Sequence, residues 1–252
     1  MKKLVIVALI GIGMLSCKGK VDKTAETDVS SKAEKPKKEM ASDQEWKVLF
    51  DGTSFEHWKG YATTNVHSSW KLEDNAMVFY PPEDRKENVI YDIVTKDSYV
   101  NFVLSLEWKI SEGGNSGIFW GVKEGGKFDR PYQTGPEIQV LDNEKHPDAK
   151  NGTTHQAGSL YDMIAPSEDV SRPVGEWNSY LISIDHKANK GSVVLNGKEI
   201  VTFPLHGEAW NAMVAASKFA DWEGFGKFSL GKIGLQDHGD VVAYRNIKIK
   251  TL

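Results

Sequence analysis

From Trp46 onward, apolar and polar residues come in short alternating runs broken by Gly, Pro, Asn and Asp. The cleanest run is Phe102–Ile110. Phe102, Leu104, Leu106, Trp108 and Ile110 hold one set of alternate positions; Ser105, Glu107 and Lys109 hold the other. Successive strand side chains point to opposite faces, so this run predicts a strand with one buried face. Further strands are predicted over Asn115–Val122 and over residues 180–185 and 241–250. Residues 192–203 read as a hairpin, with Asn196-Gly197 in the two positions that a type I′ turn requires. Only residues 208–217 read as a helix. Many short strands, frequent turns and little helix predict an all-β fold, a β-sandwich of jelly-roll type.

Within that frame, residues 135–142 read Gly-Pro-Glu-Ile-Gln-Val-Leu-Asp. On a strand, Ile138 and Val140 share one face, with Glu137 and Gln139 on the other. Residues 231–239 repeat the arrangement: Ile233 and Leu235 on one face, Gln236 and His238 on the opposite one. Both strands have Gly or Pro at their flanks, which lets a ligand or another backbone approach closely. Their polar faces predict a concave polar groove of carbohydrate size. Glu107 and Lys109 would join it if a single sheet curved to bring the three strands together. The alternative for all of these residues is the wet face of a half-exposed antiparallel sheet.

The first residues follow a different rule. Lys2 and Lys3 precede an apolar run too short to span a bilayer, and the run ends at Ser16-Cys17. Residues 1–16 read as a lipoprotein signal peptide and Cys17 as the lipid acceptor. Residues 17–44 read as a tether, rich in Lys, Glu, Asp, Ser and Thr and unable to offset their ordering entropy by burial. The chain has one cysteine, so residues 45–252 form no internal disulfide and depend on an ordinary core. A periplasmic or cell-surface location, with the membrane reached through the lipid, follows. The net charge of −4, with lysines interleaved among acids in the tether, speaks against nucleic acid as a partner.

The eight tryptophans divide by position. Trp70, Trp108 and Trp177 fall on apolar faces and are expected in the core. Trp120 and Trp222 are the candidates for stacking on a sugar. Residues 142–155 form a long polar connection, of the kind that is often functional. Its His146, Asp148 and His155 are metal-ligand types, but no spacing matches a zinc or EF-hand pattern, and no metal is expected. His155 leads directly into residues 158–164 and is expected in the groove. A Gly-x-Ser-x-Gly elbow, a phosphate-binding Gly loop and a dinucleotide fingerprint are all missing. The Gly-rich residues 113–117 precede a strand, so they lack the helix N-terminus that a phosphate site uses.

Taken in order, these segments resemble one family. Phe50-Asp-Gly-Thr-Ser-Phe-Glu-His-Trp58 is similar to its opening. Gly114-Asn-Ser-Gly-Ile-Phe119, Pro136-Glu-Ile-Gln-Val-Leu-Asp142 and Gly158-Ser-Leu-Tyr-Asp162 are similar to its middle. Gly175-Glu-Trp-Asn178, Leu195-Asn-Gly197, residues 231–239 and Tyr244-Arg-Asn-Ile247 are similar to its end. The family is the 3-keto-disaccharide hydrolase domain, over residues 46–252. The resemblance implies a concanavalin-like jelly roll acting on an oligosaccharide or glycoside oxidised at C3. It implies no cofactor, because a separate sugar 3-dehydrogenase makes the ketone. A C3 ketone acidifies the C2 hydrogen. A base removes it, the enolate expels the C1 substituent, and water adds across the double bond. Glu137 and His238 are the base and acid candidates. Glu107, Lys109, Gln139, His155, Gln236, Trp120 and Trp222 are the candidates for substrate binding. The competing class is a non-catalytic carbohydrate-binding lipoprotein, since jelly rolls serve both ends.

Overall fold

The structure, a computed structural model, describes residues 45–252. The signal peptide, Cys17 and the tether expected over residues 1–44 lie outside the described residues. Thirteen strands follow in chain order: β1 Lys47–Phe50, β2 Trp58–Gly60, β3 Trp70–Glu73, β4 Ala76–Phe79, β5 Ile93–Thr95, β6 Phe102–Ile110, β7 Asn115–Val122, β8 Glu137–Leu141, β9 Asn178–Asp185, β10 Lys190–Leu195, β11 Lys198–Phe203, β12 Lys232–Leu235 and β13 Val242–Thr251. A helix, α1, spans Gly207–Ala215 and buries Trp210 and Val214, one turn apart.

The strands form two antiparallel sheets. The eight-stranded sheet runs β11-β10-β9-β6-β13-β4-β3, with β1 also paired to β13; the five-stranded sheet runs β2-β5-β12-β7-β8. Their inner faces make the core of a β-sandwich. The alternation predicted for Phe102–Ile110 is complete, with Phe102, Leu104, Leu106, Trp108 and Ile110 all buried. From the other sheet, Ile118, Ile138, Val140, Ile233 and Leu235 meet them. At the hairpin, Asn196 (φ 50°) and Gly197 (φ 88°) both take the left-handed conformation of a type I′ turn.

Two buried polar ties cross the sandwich. The Tyr180 hydroxyl on β9 donates to the Gln139 carbonyl on β8 at 2.7 Å. The Ser116 hydroxyl on β7 lies 2.8 Å from the Tyr244 hydroxyl on β13 and donates to the Gln236 carbonyl at 2.7 Å. Such ties leave no buried hydroxyl unpaired at these points, and they fix the backbone behind Gln139 and Gln236.

Two tryptophans depart from expectation. Trp177 is not in the core. It is half-buried on the outer face of the eight-stranded sheet, with the Arg245 guanidinium 4.0 Å and the Lys109 ammonium 4.9 Å from its ring centre. Trp120, expected at a sugar, is buried and stacks on Phe203 with ring centres 5.6 Å apart. Period two explains it: Trp120 shares a strand face with Ile118, and that face is inward.

Candidate active site

The outward face of β8 and β7 carries the site. Glu137 pairs with Phe119 and Gln139 with Gly117 across the two strands, so all four share that face. Gly117 is decisive: a Cβ there would lie 1.9 Å from Glu137 Oε1. The missing side chain is the room in which the carboxyl sits. Beyond β8, residues 158–164 run alongside as an irregular extra edge. Leu160 bridges Ile138, and the Tyr161 amide donates to the Glu137 carbonyl at 3.0 Å. This places Tyr161 beside Glu137. After β12 the chain continues outward with Gln236, whose amide donates to the Gly117 carbonyl at 2.9 Å.

Together these elements enclose a pocket of about 370 Å³. Its polar wall is Asn115, Glu137, Gln139, Gln236 and His238, faced by Tyr132, Tyr161, Lys218, Phe219 and Trp222. Tyr132, Phe219 and Trp222 form an aromatic cluster, with the Trp222 ring centre 5.6 Å from Tyr132 and 5.1 Å from Phe219. Opposed polar and aromatic walls suit a pyranose, which has hydroxyls around its rim and apolar faces.

Among the described residues, Glu137 is the only carboxyl-bearing one that lines this pocket. It is 7% exposed. Burial pushes its pKa up to about 8; the Lys218 charge pulls the other way, and Asp92 and Asp148 add to the rise. Two buried atoms, Asn115 Oδ1 and Gln236 Oε1, have no partner within the protein. Both residues line the pocket. His238 stands at the pocket mouth. Although exposed at the surface, its ring is partly desolvated by surrounding protein; this first, then the neighbouring His146, holds its pKa below the ordinary histidine value.

The segment bearing Gln236 and His238 is clamped from behind. Asp237 takes a bidentate pair from Arg85 at 2.6 and 2.8 Å, and its amide donates to Asp92 Oδ1 at 3.2 Å. Burial and the charge of Asp237 push Asp92 up to about 7.

Glu137, Gln139, Trp222, Gln236 and His238 are therefore brought together, while the remaining expected residues are not. Glu107 and Lys109 lie on the outer face of the eight-stranded sheet, the far side of the sandwich. There Glu107 pairs with Arg245 at 2.7 Å and Lys109 covers Trp177. The strands that carry them and Glu137 belong to different sheets, so no curvature makes their faces converge. Trp120 is in the core, as above. His155 is buried behind Tyr161, between Asp148 and Asp162, and does not line the pocket. Asn115, Tyr132, Tyr161, Lys218 and Phe219 were not anticipated. Asn115 and Tyr161 sit within recognised motifs, whereas Lys218 and Phe219 follow α1 in a stretch with no periodic signal.

The metal-ligand types of residues 142–155 do not converge as His146, Asp148 and His155. Among the described residues, the group with ligand-like spacing is instead His146, His238 and Asp240, with ligand atoms within 4.8 Å of one another. His146 Nδ1 already accepts from the Asp148 amide at 3.1 Å, so the neutral ring keeps its proton on Nε2. Coordination through either nitrogen would remove that bond or that proton.

The fold and site define a β-sandwich protein with an outward pocket that combines polar and aromatic walls. The comparisons narrow this to a family. Residues 45–250 match the 3-keto-alpha-glucoside-1,2-lyase-like domain, and the chain belongs to that family. It is 37% identical over 229 residues, 81% of this chain and 78% of the relative, to the 3-keto-disaccharide hydrolase of Bacteroides thetaiotaomicron. Among solved structures it resembles a candidate glycosyl hydrolase from Parabacteroides distasonis ATCC 8503, with TM-score 0.74 and 33% identity over 82% of this chain and 94% of that one. A second P. distasonis structure of the same description gives TM-score 0.60 and 26% identity, covering 82% and 100%.

Proposed function

We propose that the protein cleaves the glycosidic bond of 3-keto glycosides or 3-keto disaccharides by C2 deprotonation, elimination and hydration. The observation that carries this reading is Glu137: one buried carboxyl, its pKa raised to about 8, lining a pocket of about 370 Å³. Direct glycoside hydrolysis uses two carboxyl groups flanking the anomeric carbon. The pocket lining offers one, which suits removal of a single acidic C2 hydrogen. A base with a pKa near the working pH is the efficient one for that task. In this reading His238 is the partner that gives a proton to the departing oxygen. Gln139, Gln236, Asn115 and Trp222 hold the ring. The name of the Bacteroides relative and the family description point to the same substrate class.

A separate sugar 3-dehydrogenase supplies the ketone, since the cleavage itself transfers no electrons to a cofactor. Lipid on Cys17 would hold the domain at a membrane, in the periplasm or at the cell surface.

The test compares a 3-keto glycoside with its unoxidised parent. The protein should release sugar from the first and leave the second nearly untouched. In deuterated water, deuterium should appear at C2 of the product. Equal cleavage of both substrates would sink the reading. Binding of either sugar without cleavage would favour the carbohydrate-binding alternative.

A further inference from the structure

We propose that Lys218 is a catalytic residue: its ammonium hydrogen-bonds the C3 oxygen as that oxygen becomes an enolate, and a closed ring of hydrogen bonds through Tyr161, Asp148, His155 and Asp162 holds it there. This rests on the function proposed above.

Lys218 is the one Lys or Arg among the residues lining the pocket. Its Nζ donates to the Tyr161 hydroxyl at 2.9 Å and stands 4.0 Å from that ring's centre. The Tyr161 hydroxyl donates in turn to Asp148 Oδ2 at 2.9 Å, which leaves its oxygen free to accept from Lys218. Burial first, then Asp148, raise the Tyr161 pKa, so it remains a phenol through the physiological range. Asp148 Oδ1 lies 3.0 Å from His155 Nδ1, and His155 Nε2 lies 3.1 Å from Asp162 Oδ1. Asp162 Oδ2 then accepts from the Lys218 backbone amide at 2.7 Å, closing the ring. Lys218 is held at both its backbone and its ammonium.

The ring separates this from an ordinary surface lysine: Asp148 accepts from the Tyr161 hydroxyl, Asp162 accepts from the Lys218 amide, and His155 lies between the two aspartates. Asp162 takes a left-handed φ of +62°, which aspartate tolerates. Only one of the three ammonium hydrogens of Lys218 is used on Tyr161, and the others are free for a ligand in the pocket.

The step balances without a co-reactant. Glu137 takes the C2 proton, the C2–H pair becomes the C2=C3 bond, and the carbonyl π pair moves onto the C3 oxygen, where Lys218 donates. The charge then returns: C3=O re-forms, C1=C2 forms, and the C1 oxygen leaves with its bonding pair and gains a proton. Water adds its hydroxyl to C1 and a hydrogen to C2. Preorganised donors at a developing oxyanion are typically worth about a hundredfold or more in rate.

The experiment uses the full chain and two probes. One is a chemically prepared 4-nitrophenyl 3-keto-glucoside. The other is 3-keto-1,5-anhydroglucitol, which lacks the exocyclic C1 substituent and reports enolisation through exchange of its C2 hydrogen in deuterated water. Lys218→Met should slow both release and exchange by about a hundredfold, with KM changed by no more than about threefold. Lys218→Arg should keep a substantial part of both rates, because it keeps the charge. Asp162→Ala should lower kcat by about tenfold and Asp162→Asn by less, since Asn keeps the acceptor for the Lys218 amide. The pair Lys218→Gln and Lys218→Arg gives an independent comparison, with similar reach and different charge. Equal exchange rates in that pair, or a Lys218→Met protein within threefold of wild type on both probes, would overturn the proposal. Wild type that exchanges and cleaves neither probe would overturn the functional reading itself, and this inference with it.

Discussion

At Glu137 the stability of the fold and the proposed chemistry meet in one carboxyl. Its folded-state pKa, about 8, lies above the ordinary value of 4.5, so the folded protein holds this proton more tightly than the unfolded chain does. The stabilising contribution is complete below the unfolded value and is lost as pH rises through about 8. Urea unfolding at pH 5, 7 and 9 should therefore show wild type losing on the order of a few kcal/mol across that range. Glu137→Gln should flatten this slope; the part that survives belongs to Asp92, raised to about 7 and lost in the same direction. The same substitution should lower cleavage of a 3-keto glycoside by about a hundredfold or more. An unchanged slope in the variant would mean that the carboxyl is not buried as described.

The elements explain what the amino-acid pattern could and could not reveal. Alternation is local, so β6, β7, β8 and the β10–β11 hairpin were readable as strands, with the inward set legible on β6 and β8. It also held the answer for Trp120, which alternates with Ile118. Which sheet a strand joins is not local. Glu107 on β6 and Glu137 on β8 look alike in the pattern, yet they face opposite sides of the sandwich. The irregular segments were harder still. His155 is bracketed by Asp148 and Asp162, each seven residues away, and no period announces that closure. Lys218, which lines the pocket, has its amide bonded to Asp162, 56 residues away. The Arg85–Asp237 clamp, spanning 152 positions, was equally invisible. It bears on the site because Asp237 lies between Gln236 and His238. Arg85→Met should lower stability by about 1–2 kcal/mol, less than a fully buried pair because Arg85 is 38% exposed. It should also reduce kcat/KM by about tenfold. Thermal unfolding and steady-state kinetics on one preparation check both, and a stability loss with unchanged kinetics would detach the clamp from the site.

For the whole molecule, the sandwich divides its labour between two outer faces. The five-stranded sheet carries the pocket. The eight-stranded sheet turns outward a layer of ion pairs and cation–aromatic contacts around Glu107, Arg245, Lys109 and Trp177. Each element of the site is therefore backed by the common core, and the Tyr180 and Ser116 ties connect its floor to the opposite sheet. How the protein is placed in the cell is a matter for residues 1–44. If Cys17 carries lipid, the protein should partition with membranes and Cys17→Ala should yield soluble or unprocessed protein. A variant that fractionates and migrates like wild type would remove the lipoprotein reading.

Gly117 gives this architecture a particular evolutionary exposure. A methyl group at that position would collide with the far end of a flexible side chain, Glu137, and not with backbone. The fold can absorb such a change by swinging the carboxyl aside, while the aromatic wall and the amide oxygens stay where they are. Glycine and alanine codons differ at a single base. A catalyst built this way stands one nucleotide from a sugar-holding protein that no longer turns over, and descendants that lost the reaction would be expected to keep nearly everything else.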